Sequence, residues 1–162
     1  MIAKLKILLM CICLPVLMLA CGGGGGGSNP VYTKAILKVS TANVPSGTRV
    51  GGAQLSVVLP IGVTPSVLSG NDATNSVTAS GNAISGSLTA SSYDAVTKTL
   101  TPGTISGSGF VSGEFLTINC SIAPGVTVNA TDFPQKATII ELFDSSNTPI
   151  TGAELPISVT LL

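Results

Sequence analysis

From Val31 onward the apolar residues of this chain recur at every second position in short runs, and clusters of turn residues separate the runs. In "YTKAILKVS" Ala35, Leu37 and Val39 fall on one side, with Lys34, Ile36 and Lys38 on the other. In "AQLSVVLP" Leu55, Val57 and Leu59 alternate with Gln54, Ser56 and Val58. A period of two puts each set of side chains on its own face of a strand. Pro60 ends the second run, because proline cannot donate to a strand ladder. "GEFLTINCSI" puts Leu116, Ile118 and Cys120 on a common face; "KATIIELF" follows; "LPISVTLL" aligns Ile157, Val159 and Leu161. Weaker strands are predicted at "NAISGSLTA", "DAVTKTL" and "GTISGSGF", where Gly and Ser specify register poorly. "DSSNTPITG", Asp144 to Gly152, reads as the turn between the last two strands. No stretch carries helical periodicity. Eight or nine strands in about 130 residues predict an all-β fold, an antiparallel two-sheet β-sandwich. Its apolar faces close on each other and leave Thr, Ser and Lys outward.

The first thirty residues break this pattern. Lys4 and Lys6 precede an apolar run from Ile7 to Ala20 that Pro15 interrupts. About 14 residues fall short of the roughly 20 that a bilayer-spanning helix needs, so residues 1–20 are predicted to be a secretory signal peptide. "MLAC", Met18 to Cys21, resembles the lipobox of bacterial lipoproteins, with Met18 where that family usually carries Leu. The resemblance implies that the Cys21 thiol receives a diacylglyceryl group, that cleavage falls immediately before it, and that the mature amino terminus is held at a membrane. Each buried lipid methylene contributes about 0.8 kcal/mol, and two or more chains make the attachment lasting. Gly rather than Asp after Cys21 resembles lipoproteins sent to the outer membrane. Residues 21–30 read as a Gly-rich flexible linker, and residues 31–162 as the sandwich domain. Cys11 and Cys13 lie within the apolar run and behave there as small hydrophobes.

Composition narrows the function. Only 9% of residues are charged, and the chain has neither His nor Trp. Loss of Lys4 and Lys6 with the leader leaves five basic against seven acidic residues, with no basic cluster of the kind that neutralises phosphates. A nucleic-acid partner is excluded on that ground. Without His, the usual base of Ser and Cys nucleophile systems is missing. Cys120, alternating with Leu116 and Ile118, reads as a core residue. Asp94, Glu114, Asp132 and Glu141 are the carboxylates from which a glycosidase pair would have to be drawn. "NDATN", Asn71 to Asn75, places oxygen ligands in a loop, fewer than the six or more that calcium takes. Both features read as solvated or turn-forming groups, so no catalytic residue, cofactor or metal ligand is expected. Tyr32 and Tyr93 are the candidate platform residues on which a sugar ring could stack.

"GGAQLSVVLPIGVT", "SGFVSGEFLTINCSI" and "IIELFDSSNTPITG" together resemble a cohesin-like domain, a jelly-roll sandwich related to a class of carbohydrate-binding modules. The resemblance covers most of Tyr32 to Leu162 and implies a non-catalytic docking module that binds a dockerin-like protein. The expectation is therefore a cell-envelope protein, anchored at the outer membrane by a lipid on Cys21, that displays a docking surface. A carbohydrate-binding lipoprotein that holds polysaccharide is the alternative, followed by a structural subunit of a surface assembly. An exposed row of aromatics would favour sugar, and a flat face of small polar and aliphatic residues a protein partner. A long unpaired edge strand would favour assembly by strand addition.

Overall fold

Alternating burial of Ala35, Leu37 and Val39 defines the inner face of β1 (Lys34–Ser40), around which the first of two antiparallel sheets is built. The computed structural model describes residues 30–162; the leader, Cys21 and the linker up to residue 29 lie outside the described residues. Val31–Leu162 forms one compact unit. Along the chain β1 is followed by β2 (Val50–Val58), β3 (Val63–Pro65), β4 (Val77–Ala79), β5 (Ser87–Asp94), β6 (Thr99–Phe110), β7 (Glu114–Ile122), β8 (Thr138–Asp144) and β9 (Ile157–Leu161). The first sheet runs β3-β7-β1-β9, with β4 sharing the β7 edge beside β3. The second runs β5-β6-β2-β8. The predicted all-β, two-sheet antiparallel sandwich is the observed architecture.

Register explains how the core forms. Pairing of β1 with β7 aligns Ala35 with Cys120, Leu37 with Ile118 and Val39 with Leu116, so one sheet turns a continuous aliphatic strip inward. The second sheet answers with Leu55 and Val57 from β2 and Leu100 from β6, all nearly or fully buried. Phe110 and Phe115 stack with ring centroids 5.4 Å apart and close the core where β6 turns into β7. Both edges of the second sheet are partly covered. Residues 71–74 cover β5, where Tyr93 N donates to Asn71 O and Ala73 N to Ser91 O. The chain after β8 folds back on it, Ile150 N donating to Leu142 O, and Ala137 N donates to Leu155 O where the two sheets meet.

Three features differ from the sequence reading. β3 and β4 were not expected; each is three residues long and exists by adding to the edge of β7. "DAVTKTL" is not a strand up to Thr99. The Asp94 carboxylate accepts from the amides of Val96 at 2.8 Å and Thr97 at 3.4 Å, and Lys98 takes φ of 56°, which makes this stretch the β5–β6 turn. Local side-chain bonding to the backbone has won over β-branched propensity there. Nor do all hydroxyls face outward: Ser87 pairs with Ser106 and Thr89 with Thr104 across β5 and β6. The hydroxyls of Ser87, Ser91, Thr104 and Ser106 are buried and find no hydrogen-bond partner among the described residues.

Two stability measurements follow from this packing. A side chain at Gly51 would press on the Asp144 carbonyl and come within 2.9 Å of Ser145 Cα, whereas Gly107 faces open space. Gly51→Ala is expected to lose about 1–3 kcal/mol by overpacking, and Gly107→Ala to stay within about 0.5 kcal/mol of the parent, both read by urea denaturation. Thr104→Val replaces an unpartnered buried hydroxyl by a methyl of the same shape and should raise stability by about 1 kcal/mol in the same assay.

Candidate docking face

Because Leu55 and Val57 point inward, Gln54, Ser56 and Val58 must point out, and register then orders the outer face of the second sheet into rows. One row is Leu88, Ile105, Gly52 and Phe143, from β5, β6, β2 and β8 in turn. The next is Ala90, Gly103, Gln54 and Glu141. A third begins with Ser92 and Thr101 and ends with Ser56 and Thr138. The face therefore grades from an aliphatic and aromatic row, through a row with almost no side chain on β5 and β6, to a row of hydroxyls.

A groove of about 600 Å³ lies along this face. Ala90 and Gly103 are its floor, since neither fills the space above the sheet. Leu88, Ile105 and Phe143 line one wall, and Ser92 and Thr101 the other. Gly52 fixes the aromatic: the Phe143 ring lies directly over it, where any side chain would collide. Asp72 and Thr74 border the groove on the β5 side and Glu141 on the β8 side, and among the described residues no Lys or Arg lines it. Asp72 stands one step beyond β5, bridged to Ser92. With strands about 4.8 Å apart, four spacings separate the two carboxylates by about 19 Å. The backbone amide and side chain of Thr74 hold the Asp72 carboxyl below the usual carboxylate range, so this rim is negative at neutral pH.

The residues singled out from sequence are distributed differently. Tyr93 is on the inner face of β5, 6% exposed, and offers no ring face to solvent; burial, with smaller contributions from Cys120 and Asp94, raises its hydroxyl pKa. Tyr32 is half-buried and packs against the core. Neither lines the groove, so the structure does not bring the two together as a platform there. Of the four carboxylates weighed for hydrolysis, only Glu141 is in the groove. Glu114 pairs with Lys38 at 3.1 Å, Asp94 closes its turn, and Asp132 accepts from the Asn129 amide at 2.7 Å in a capping box. Asp72 and Phe143 escaped the sequence reading as groove residues. The sequence marked their neighbourhoods only as a turn and as the end of a strand.

Cys120 is 5% exposed on the inner face of β7, and desolvation pushes its thiol up to about 12. Such a thiol should resist iodoacetamide at pH 8 in the folded protein and react once urea unfolds it. The sign of the accompanying linkage follows: the unfolded thiol ionises near about pH 8.5, while the folded one stays neutral. The contribution of Cys120 to stability is therefore complete below that pH and lost progressively as pH rises toward 12. A folded protein labelled at its native rate of unfolding or slower meets this expectation, whereas rapid labelling contradicts it.

Comparison of the chain with protein-family models, with curated proteins and with solved structures gives no match.

Proposed function

We propose that this is a lipid-anchored cell-envelope protein whose β-sandwich serves as a non-catalytic docking module, with the outer face of the second sheet binding a protein partner. The observation that carries this reading is the groove itself: an aliphatic wall of Leu88 and Ile105, an unobstructed floor at Ala90 and Gly103, and carboxylates on opposite rims. A partner that fits presents an apolar ridge flanked by Lys or Arg, since apolar anchors supply contact area and opposite charges set orientation. The cohesin-like resemblance of the sequence points to the same class of activity, and the lipobox-like "MLAC" to the envelope as its place.

Sugar binding has less support on this face, because its aromatic surface is the single ring of Phe143 against Gly52 rather than a row of platforms. Strand addition has less support as well. Residues 71–73 pair with Ser91 to Tyr93 on β5, the return after β8 pairs with Leu142 to Asp144, and residues 135–137 bond to the start of β9, which breaks each edge into short free stretches.

Photo-crosslinking on intact cells tests the proposal. A photoreactive residue at Leu88 should capture one protein, and Ala90→Trp, which fills the groove floor, should cut that yield by about tenfold through a steric clash. The same residue at Lys136, away from the groove, should not capture it. Crosslinks to glycan that free sugar abolishes, or a protein yield indifferent to Ala90→Trp, would overturn the reading.

A further inference from the structure

The turns at one end of the sandwich are stitched into a single surface by backbone hydrogen bonds. Leu59 N donates to Lys98 O, joining the turn after β2 to the β5–β6 turn; Ala123 N donates to Gly62 O, joining it to the turn after β7. Ile122 N donates to Thr33 O, and the amides of Thr33 and Lys34 donate to Leu162 O, which brings both ends of the folded unit into the same layer. This surface carries an unusual load of exposed aliphatics: Val31 at 81%, Ile61 at 77% and Val96 at 88% exposure, with Val58 and Leu162 beside them. None of the five belongs to the groove. Single exposed aliphatics need no explanation, but five on turns and strand ends linked in this way form a patch.

Charge and chain geometry say what the patch meets. Lys34 and Lys98 flank it, and the carboxylate of Asp94, the acid of the same turn as Lys98, is engaged by the Val96 and Thr97 amides. Aliphatics beside cations match an anionic phospholipid surface, where apolar groups enter the headgroup region and Lys gains from the negative potential. Val31 stands ten residues after Cys21 in the chain, and ten residues reach at most about 35 Å even when fully extended. The opposite end, with Val111, is farther by about 30 Å, the length of the nine-residue β2.

We infer that the end of the sandwich bearing Val31, Val58, Ile61, Val96 and Leu162 is a membrane-contacting surface that seats on the headgroup layer of the bilayer. This rests on the proposed lipid anchor at Cys21. It adds an orientation: the β-sandwich stands upright on the membrane, with its strands along the bilayer normal and the groove facing sideways.

The chain has no Trp, so Ile61→Trp and Val111→Trp each introduce a single tryptophan, excited apart from the two tyrosines at about 295 nm, at an exposed site. Each variant, made as full-length lipidated protein, is reconstituted into vesicles of phosphatidylethanolamine and phosphatidylglycerol with brominated acyl chains, and flotation with the vesicles is scored separately. The expected result is that both variants float. Ile61→Trp emission should fall by about half relative to unbrominated vesicles, as an interfacial side chain requires, while Val111→Trp emission should not change. Adding Lys34→Glu and Lys98→Glu to Ile61→Trp should reduce the quenching without reducing flotation. Flotation with no quenching at position 61, or equal quenching at both positions, overturns the contact surface and leaves the anchor standing; pairing of copies through this patch would give the former. Failure to float overturns the anchor, and the contact surface with it.

Discussion

Burial of alternate residues on β1 and β2 is the constraint on which everything else in this protein depends. Ala35, Leu37 and Val39 on one strand, and Leu55 and Val57 on the other, have no exposed alternative that would keep water from an aliphatic core. A slip of one residue on β2 would turn Gln54 and Ser56 inward and expose Leu55 and Val57, exchanging its two faces. Because that slip is so unfavourable, the outer face is as strictly ordered as the core. The rows of the groove are the exterior image of the packing inside.

The groove exists because side chains are missing where two strands of the second sheet need none. Ala90 and Gly103 pair with each other on the outer face, and the inner side beside them is supplied by Thr89, Ser91 and Thr104. The inner side of β5 and β6 thus mixes buried hydroxyls with the apolar Tyr93, Leu100 and Phe110. Buried hydroxyls with no partner among the described residues weaken the β5–β6 side relative to β1, β2 and β7.

Much of the fold was legible because its strongest strands alternate cleanly, and Leu37, Leu55, Leu116 and Ile157 fall inward as their period requires. The segment from Pro60 to Ala79 was illegible as strand: β3 and β4 take their structure from the waiting edge of β7, a contact that local sequence does not encode. The turn at Asp94 was misread because Val and Thr there favour extension in isolation, while one carboxylate bonding two amides redirects the chain. The groove was hidden for a related reason. Gly52 meets Phe143, and Ala90 meets Gly103, only through cross-strand register, so the Gly and Ser that made β5 and β6 look poorly specified are the residues that shape the face.

Both ends of the folded unit meet at one carbonyl, that of Leu162, which accepts the amides of Thr33 at 2.7 Å and Lys34 at 3.0 Å. Termini held this close permit circular permutation. A peptide bridging Leu162 to the start of β1, with a new opening between β6 and β7 near Val111, would keep every strand pair while moving the chain entry to the opposite pole. The same sandwich could then be mounted upside down on any tether, which makes the direction of its presentation a property of connectivity rather than of the fold.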